Sequence, residues 1–130
     1  MLRRIIFFVA FVVMLALTTG CGSKQTKLTT ADNGKTVEVK MGDQIVIELE
    51  GNPSTGYTWE AMDLDASMFQ QVGGTEFKGS SPGLVGAGGT LTLTFKALKP
   101  GTATLTLIYH RPWETDVKPQ DIFTVSVVVK

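Results

Sequence analysis

The feature that most constrains this chain is an alternation of apolar and polar residues that begins near residue 36 and returns up to the last residue. Segments 36–40 and 45–49, separated by a Gly42-Asp43 turn, each place Val, Ile or Leu at every second position. A period of two puts successive side chains on opposite faces of a strand, so each segment can bury only one face. The sequence therefore predicts half-buried β-strands rather than helices.

Further strands are predicted along the rest of the chain, with turn residues between them. They are 57–62, the weaker candidates 69–72 and 75–78, and then 90–98, 102–109 and 122–130. No stretch has the period of an amphipathic helix of three turns, although 63–69 is compatible with one short turn. About seven to eight short strands without helices favour an all-β, immunoglobulin-like antiparallel β-sandwich, with Trp59 as a core aromatic between the two sheets. Cys21 is the only cysteine, so the sandwich has no intramolecular disulfide.

Residues 1–20 are typical of an export signal. A pair of arginines precedes an apolar run over 5–17, which is shorter than the roughly 20 residues of a membrane-spanning helix. The residues up to Cys21 resemble the lipobox of bacterial lipoproteins, in which the cysteine is diacylated and becomes the new N-terminus, although Thr18 stands where an aliphatic residue is usual. The resemblance implies a lipid anchor in the cell envelope. In a cell with two membranes, aspartate directly after the cysteine is the usual signal for retention in the inner membrane, so Gly22 implies the outer membrane. The alternative is an incidental cysteine beside an ordinary cleavage site.

Residues 21–35 are mostly small and polar and have no apolar period, so we expect a flexible tether between the lipid and a domain over 36–130. Removing Arg3 and Arg4 from the 12 basic residues leaves 10 against 12 acidic ones, a formal net charge of −2. No cluster of Lys and Arg appears along the chain. A nucleic-acid partner is therefore not expected, and contact with a membrane would depend on the lipid alone.

Three segments interrupt the strand pattern with residues that strands avoid, and such loops often carry the function of a sandwich. The first combines a proline, which fixes its own φ, with a glycine that accepts a positive φ. The second has three glycines in four residues, and the third places arginine, proline and tryptophan at a strand end, a composition typical of interface anchors. The candidate binding residues are Asn52, Pro53, Ser54, Thr55, Gly56 and Tyr57; Gly86, Ala87, Gly88 and Gly89; and Arg111, Pro112 and Trp113.

Each segment also has a purely structural interpretation. The first is then an ordinary turn and the second a loose hairpin connection. In the third, Trp113 would cap the open end of the core while Arg111 pairs with Glu114.

In order and spacing, the three segments resemble the motifs of the chagasin family of cysteine peptidase inhibitors: an Asn-Pro-Thr-Thr-Gly-aromatic loop, a Gly-x-Gly-Gly loop and an Arg-Pro-aromatic loop. Ser54 is the one departure, since the family usually has threonine there. The resemblance covers 36–130 and implies three loops at one end of an immunoglobulin-like sandwich that straddle the active-site cleft of a papain-family peptidase. It also implies that Thr55 and Gly56 lie over the catalytic cysteine of the target, with the other two loops along the walls of the cleft.

The predicted function is reversible inhibition of papain-type cysteine peptidases by a lipid-anchored monomer that needs no cofactor or metal. The loops contain neither a cysteine nor an electrophile, so binding should not be covalent. An alternative is an envelope immunoglobulin-like lipoprotein that uses the same loops for an unrelated ligand. An enzyme is not expected, because beyond Cys21 the chain has one histidine, His110, and no nucleophile-elbow or metal-ligand pattern.

Overall fold

Strands dominate the computed structural model, which describes residues 24–80 and 86–130. Its nine β-strands within those ranges are β1 (Gln25–Leu28), β2 (Thr36–Val39), β3 (Gln44–Gly51), β4 (Thr58–Met62), β5 (Phe69–Gln71), β6 (Glu76–Gly79), β7 (Gly89–Ala97), β8 (Gly101–His110) and β9 (Asp121–Val129). Two short 3-10 turns, Thr30–Asp32 and Pro53–Thr55, complete the regular structure there. The predicted all-β class is confirmed. In the part of the chain that is described, no helix has the length and apolar character of a membrane span.

The strands form two sheets. One has the order β1-β3-β7-β5, with β6 also paired to β7, and the other has the order β2-β9-β8-β4. Most neighbours are antiparallel, but β1 pairs with β3, and β2 with β9, in parallel. β5 and β6 pair with opposite ends of the same edge of β7, where Phe69 faces Ala97 and Lys78 faces Thr90.

The core lies between the two sheets, where the alternation in the sequence places it. Every second residue of β3, β7 and β9 is buried, and Trp59 of β4 is buried among them, as predicted. The indole Nε1 of Trp59 donates a hydrogen bond to the carbonyl oxygen of Glu50 at 3.0 Å, so its polar atom is satisfied inside the sandwich. Burial of each large apolar side chain contributes roughly 1.5–3 kcal/mol, which makes this packing the main source of stability.

The segment predicted to be a flexible tether is mostly part of the sandwich, so that prediction is wrong from residue 24 onward. Gln25–Leu28 pairs with 44–47 of β3, and Leu28 is only 3% exposed. Asn33 then binds β9, because its Oδ1 accepts a hydrogen bond from the backbone N–H of Thr124 at 2.9 Å. Residues 1–23, which include the predicted export signal and Cys21, lie outside the described residues.

The physical reason for the error is that β1 is a parallel edge strand. Its order comes from backbone hydrogen bonds to β3 and from one buried leucine, and neither produces an alternating pattern in four residues. The domain therefore extends at least to Lys24 rather than beginning at residue 36.

Leu28→Ala should lower the free energy of unfolding by about 2–4 kcal/mol, because it leaves a cavity between the sheets. Lys27→Ala is the matched control on the same strand, since Lys27 pairs with Glu48 at the surface and its loss should change stability by less than about 0.5 kcal/mol. Urea unfolding followed by tryptophan fluorescence measures both variants. Equally small changes would show that β1 is not part of the cooperative unit.

Candidate functional site

The three predicted segments lie together at one end of the sandwich. We call residues 52–57, between β3 and β4, loop 1; residues 80–88, between β6 and β7, loop 2; and residues 111–120, between β8 and β9, loop 3. β3 ends beside the start of β7, where Gly51 faces Gly89, and β8 ends beside the start of β4, where His110 faces Thr58. Residues 81–85 of loop 2 lie outside the described residues.

Loop 1 is a tight turn that Asn52 caps. The Oδ1 of Asn52 accepts hydrogen bonds from the backbone N–H of Ser54 at 3.1 Å and from its hydroxyl at 2.6 Å. The carbonyl oxygen of Asn52 accepts the hydroxyl of Thr55 at 2.6 Å. Pro53 occupies the first position of the turn, where its fixed φ is suitable and no N–H is required. Loop 1 is thus stabilised by its own polar groups.

Asn52 also connects loop 1 to its surroundings. Its backbone N–H donates to the hydroxyl of Tyr109 on β8 at 2.9 Å, and its side-chain Nδ2 donates to the carbonyl oxygen of Gly86 in loop 2 at 2.8 Å. An aspartate could not donate to Gly86, and an alanine could make none of the three side-chain hydrogen bonds of Asn52. One side chain therefore sets the spacing of loops 1 and 2.

Gly89, directly after loop 2, allows a close approach of three chain segments. Gly89 lies in β7 between Gly51 of β3 and Gly79 of β6, and a Cβ atom on it would overlap the carbonyl oxygen of Lys78. Ala87, beside it, is half-buried. Glycine at position 89 is thus required for packing, so the interpretation as a loose connection does not hold at this position.

Arg111 joins loop 3 to loop 1. Its Nε donates to the carbonyl oxygen of Thr55 at 3.0 Å, and its guanidinium carbon lies 4.5 Å from the ring centroid of Tyr57. A second nitrogen donates to the Oε1 of Glu114 at 3.0 Å, and this hydrogen bond raises the pKa of Arg111 above its usual value. The charged guanidinium is therefore held by three contacts: the carbonyl oxygen of Thr55, the ring of Tyr57 and the carboxylate of Glu114.

Stacked aromatic rings connect this end of the molecule to the core. The ring centroids of Tyr57 and Tyr109 are 5.2 Å apart, and those of Tyr109 and Trp59 are 5.1 Å apart. The first pair is tilted by 33° and the second is stacked, and such aromatic contacts add to the stability that burial provides. Tyr109 was not among the candidate residues; its place at a strand end directly before the third motif was the only signal in the sequence.

Trp113 is 67% exposed, so the interpretation that it caps the core is wrong. Its indole lies over Gly56, where an added Cβ would overlap the ring, and the φ of Gly56 is +85°. A side chain at position 56 would therefore strain the backbone and displace the indole. The ion pair between Arg111 and Glu114, the other half of that interpretation, is present.

His110 is the last residue of β8, beside loop 3, and its Nε2 lies 2.9 Å from the Oε2 of Glu60. No group of three or more potential metal ligands occurs within residues 24–80 and 86–130. At the loop end, the described residues present hydrogen-bonded turns, glycine backbone and the exposed indole of Trp113.

Comparison with known proteins identifies the family. Residues 38–127 match the model of the chagasin family of peptidase inhibitors, I42. The chain belongs to the chagasin family of cysteine peptidase inhibitors. It is 36% identical over 104 residues to Amoebiasin-2 of Entamoeba histolytica, covering 79% of this chain and 84% of that protein. It is also 36% identical over 104 residues to Chagasin of Trypanosoma cruzi, covering 76% of this chain and 93% of that protein.

Two solved structures have the same fold as this chain. The crystal structure of the cysteine protease inhibitor EhICP2 from Entamoeba histolytica has a TM-score of 0.73 at 32% identity and covers 85% of this chain and 100% of its own. PbICP-C, solved in complex with falcipain-2, has a TM-score of 0.57 at 18% identity and shows the fold alone, over 84% of this chain and 93% of its own. The predicted immunoglobulin-like sandwich and the predicted inhibitor class, as opposed to an enzyme, are confirmed.

Asn52→Asp should loosen loop 2, because the carboxylate still accepts from Ser54 but no longer donates to Gly86. We expect amide hydrogen exchange over residues 86–89 to become about fivefold faster, the equivalent of one lost hydrogen bond of about 1 kcal/mol. Ser54→Ala is the matched control. It removes the hydrogen bond from the Ser54 hydroxyl to the Oδ1 of Asn52 but keeps the bond from Nδ2 to Gly86, so the exchange over residues 86–89 should be unchanged. Equal acceleration in both variants would show that the bond to Gly86 does not hold loop 2.

Proposed function

We propose that this chain is a reversible inhibitor of papain-type cysteine peptidases that occludes the active-site cleft with loops 1, 2 and 3. The observation that carries the proposal is that Asn52 and Arg111 connect all three loops at one end of the sandwich, beside an exposed Trp113. EhICP2, which is 32% identical, is described as a cysteine protease inhibitor. PbICP-C, which shares the fold of this chain, was solved in complex with falcipain-2.

The three loops differ in shape in a way that suits a cleft. Loop 1 is the central wedge: its tip carries the small side chains of Ser54 and Thr55 and then Gly56, and a narrow turn of this kind can enter a groove. Gly86 and Gly88 of loop 2 offer backbone, and Trp113 of loop 3 offers a flat aromatic surface, for the two walls. Because the loops are already held in position, little conformational entropy is lost on binding.

Inhibition should be reversible because the described loops provide no reactive group. The hydroxyl of Thr55, near the tip, donates to the carbonyl oxygen of Asn52 at 2.6 Å and is only a weak nucleophile. The carbonyl oxygen of Thr55 is held by Arg111. Binding therefore depends on contact area and hydrogen bonds at the rim of the target.

We also propose that the inhibitor is exported and anchored as a monomer through a lipid on Cys21, in the outer membrane where the cell has two membranes. The sequence supports this through the apolar run over 5–17, the position of Cys21 directly after it, and a residue other than aspartate at Gly22. The anchor would place the inhibitor at the envelope, where it meets exported or external peptidases.

Trp113→Ala should weaken inhibition of papain by about 2–4 kcal/mol, because it removes the largest exposed contact surface of the loops. The melting temperature should barely change, since Trp113 lies outside the core. Val117→Ala is the matched control: Val117 is also apolar, lies on the same loop and is 58% exposed, but it is not part of the motif. Its inhibition constant should equal that of the parent.

The measurement is a titration of papain and of an unrelated serine peptidase, with a thermal melt of each variant. A parent protein that inhibits neither enzyme, or both equally, would overturn the proposed function in favour of an envelope protein with another ligand. A Trp113→Ala variant that loses stability but inhibits normally would remove loop 3 from the binding surface.

Mass spectrometry of the native protein should find a diacylated N-terminal cysteine at position 21, and Cys21→Ala should leave the membrane fraction. Thr18→Leu, which supplies the usual aliphatic residue, is the matched control and should be lipidated at least as completely. An unmodified Cys21, or a Cys21→Ala protein still found with membranes, would contradict the anchor.

A further inference from the structure

The end of the sandwich opposite the loops, which we call the base, brings together lysines that are far apart in the sequence. Lys24 precedes β1, Lys40 follows β2 and Lys130 follows β9, and the three line one cavity of about 350 Å³. The other lining residues are Thr26, Glu38, Val39 and Asp43. The cluster is created by the fold, which is why the sequence alone shows no basic patch.

The two carboxylates of this cavity do not neutralise all three lysines. Asp43 is 8% exposed, and its oxygens accept the backbone N–H groups of Lys24 at 3.2 Å and of Lys40 at 3.0 Å, so it caps the turn rather than pairing with an ammonium group. Glu38 pairs with the Nζ of Lys130 at 3.2 Å. Within the described ranges, the ammonium groups of Lys24 and Lys40 have no ion pair. The cavity lining therefore carries a formal net charge of +1, from three lysines against two carboxylates, and the exposed side chains of Lys24 and Lys40 are the ones without an ion pair.

The position of the base relative to the proposed anchor is fixed by chain length. Lys24 lies three residues after Cys21, and three extended residues reach at most about 11 Å. β3 alone runs for eight residues from the base to loop 1, about 26 Å. A domain anchored at Cys21 therefore has its base within reach of the lipid, whereas its loops lie well beyond that reach.

We propose that the base cavity is a contact site for the phosphate groups of anionic phospholipids, with Lys24 and Lys40 as the binding residues. This inference rests on the proposed lipid anchor. Each lysine near an anionic membrane surface strengthens the contact about fivefold. Met41, exposed between Lys40 and the rest of the turn, adds an apolar side chain at the same surface. The site orients the inhibitor so that its three loops project away from the membrane.

The test places the lipidated full chain in two kinds of vesicle. One kind is phosphatidylcholine with about 30% phosphatidylglycerol, which gives the surface a negative potential, and the other is phosphatidylcholine alone. Fluorophores are attached to Thr102→Cys, near the base end of β8, or to Thr115→Cys in loop 3, and are quenched by a nickel-chelating lipid. We expect strong quenching at position 102 and little at 115 in the anionic vesicles. The difference should shrink in neutral vesicles and in high salt.

The double variant Lys24→Gln/Lys40→Gln should lose the extra quenching that anionic lipid produces at position 102. Lys27→Gln/Lys78→Gln removes the same charge away from the base cavity and is the matched control, which should behave as the parent. Equal quenching in the two kinds of vesicle, or equal effects of the two double variants, would overturn the base site.

Two further measurements separate this proposal from those on which it rests. If mass spectrometry of the same sample finds no lipid on Cys21, the anchor and the base site both fail. If the lipid is present but the quenching pattern is not, only the base site fails. The Lys24→Gln/Lys40→Gln variant should inhibit papain as the parent does, because neither lysine is near the loops; a weaker inhibitor would contradict the separation of the two ends.

Discussion

Two apolar sheet faces packed against each other hold the domain together, and no intramolecular disulfide supports them because Cys21 is the only cysteine. Phe69, Phe95 and Phe123 are among the fully buried side chains at this contact. The same strands that carry the core residues end at the loops, so the packing that stabilises the fold also fixes where loops 1, 2 and 3 begin. A change in the core would therefore move the binding surface as well as lower stability.

Loop 1 is the central element of the loop end, since each of the other two loops contacts it. Asn52 donates to loop 2, and Arg111 reaches from loop 3 to the carbonyl oxygen of Thr55. Gly56 gives the indole of Trp113 room to lie against the turn. Rigid spacing of short loops is what an inhibitor without covalent chemistry needs, because affinity then comes from contacts made without reorganisation.

The alternation of residues predicted most of the strands, and the residues that break it predicted the three loops, because both signals are local. β1 escaped prediction because its order comes from backbone pairing with β3, which leaves no pattern in its side chains. The hydrogen bonds of Asn52 to Tyr109 and Gly86 could not be predicted for a related reason. These partners are distant in the chain, and no local spacing of residues indicates them. The lysines of the base are gathered by the fold in the same way.

The parallel pairing of β1 with β3 also determines how the domain carries a mechanical load. A pull on the chain before Lys24, resisted by a partner at the loops, acts on β1 in one direction and on β3 in the opposite direction. The hydrogen bonds along Gln25–Leu28 are then loaded together in shear. An antiparallel β1 would place its first residue near the loops, and the same pull would open its bonds one after another. The direction of one short strand thus makes the domain resistant to force along the axis between its N-terminal side and its binding end.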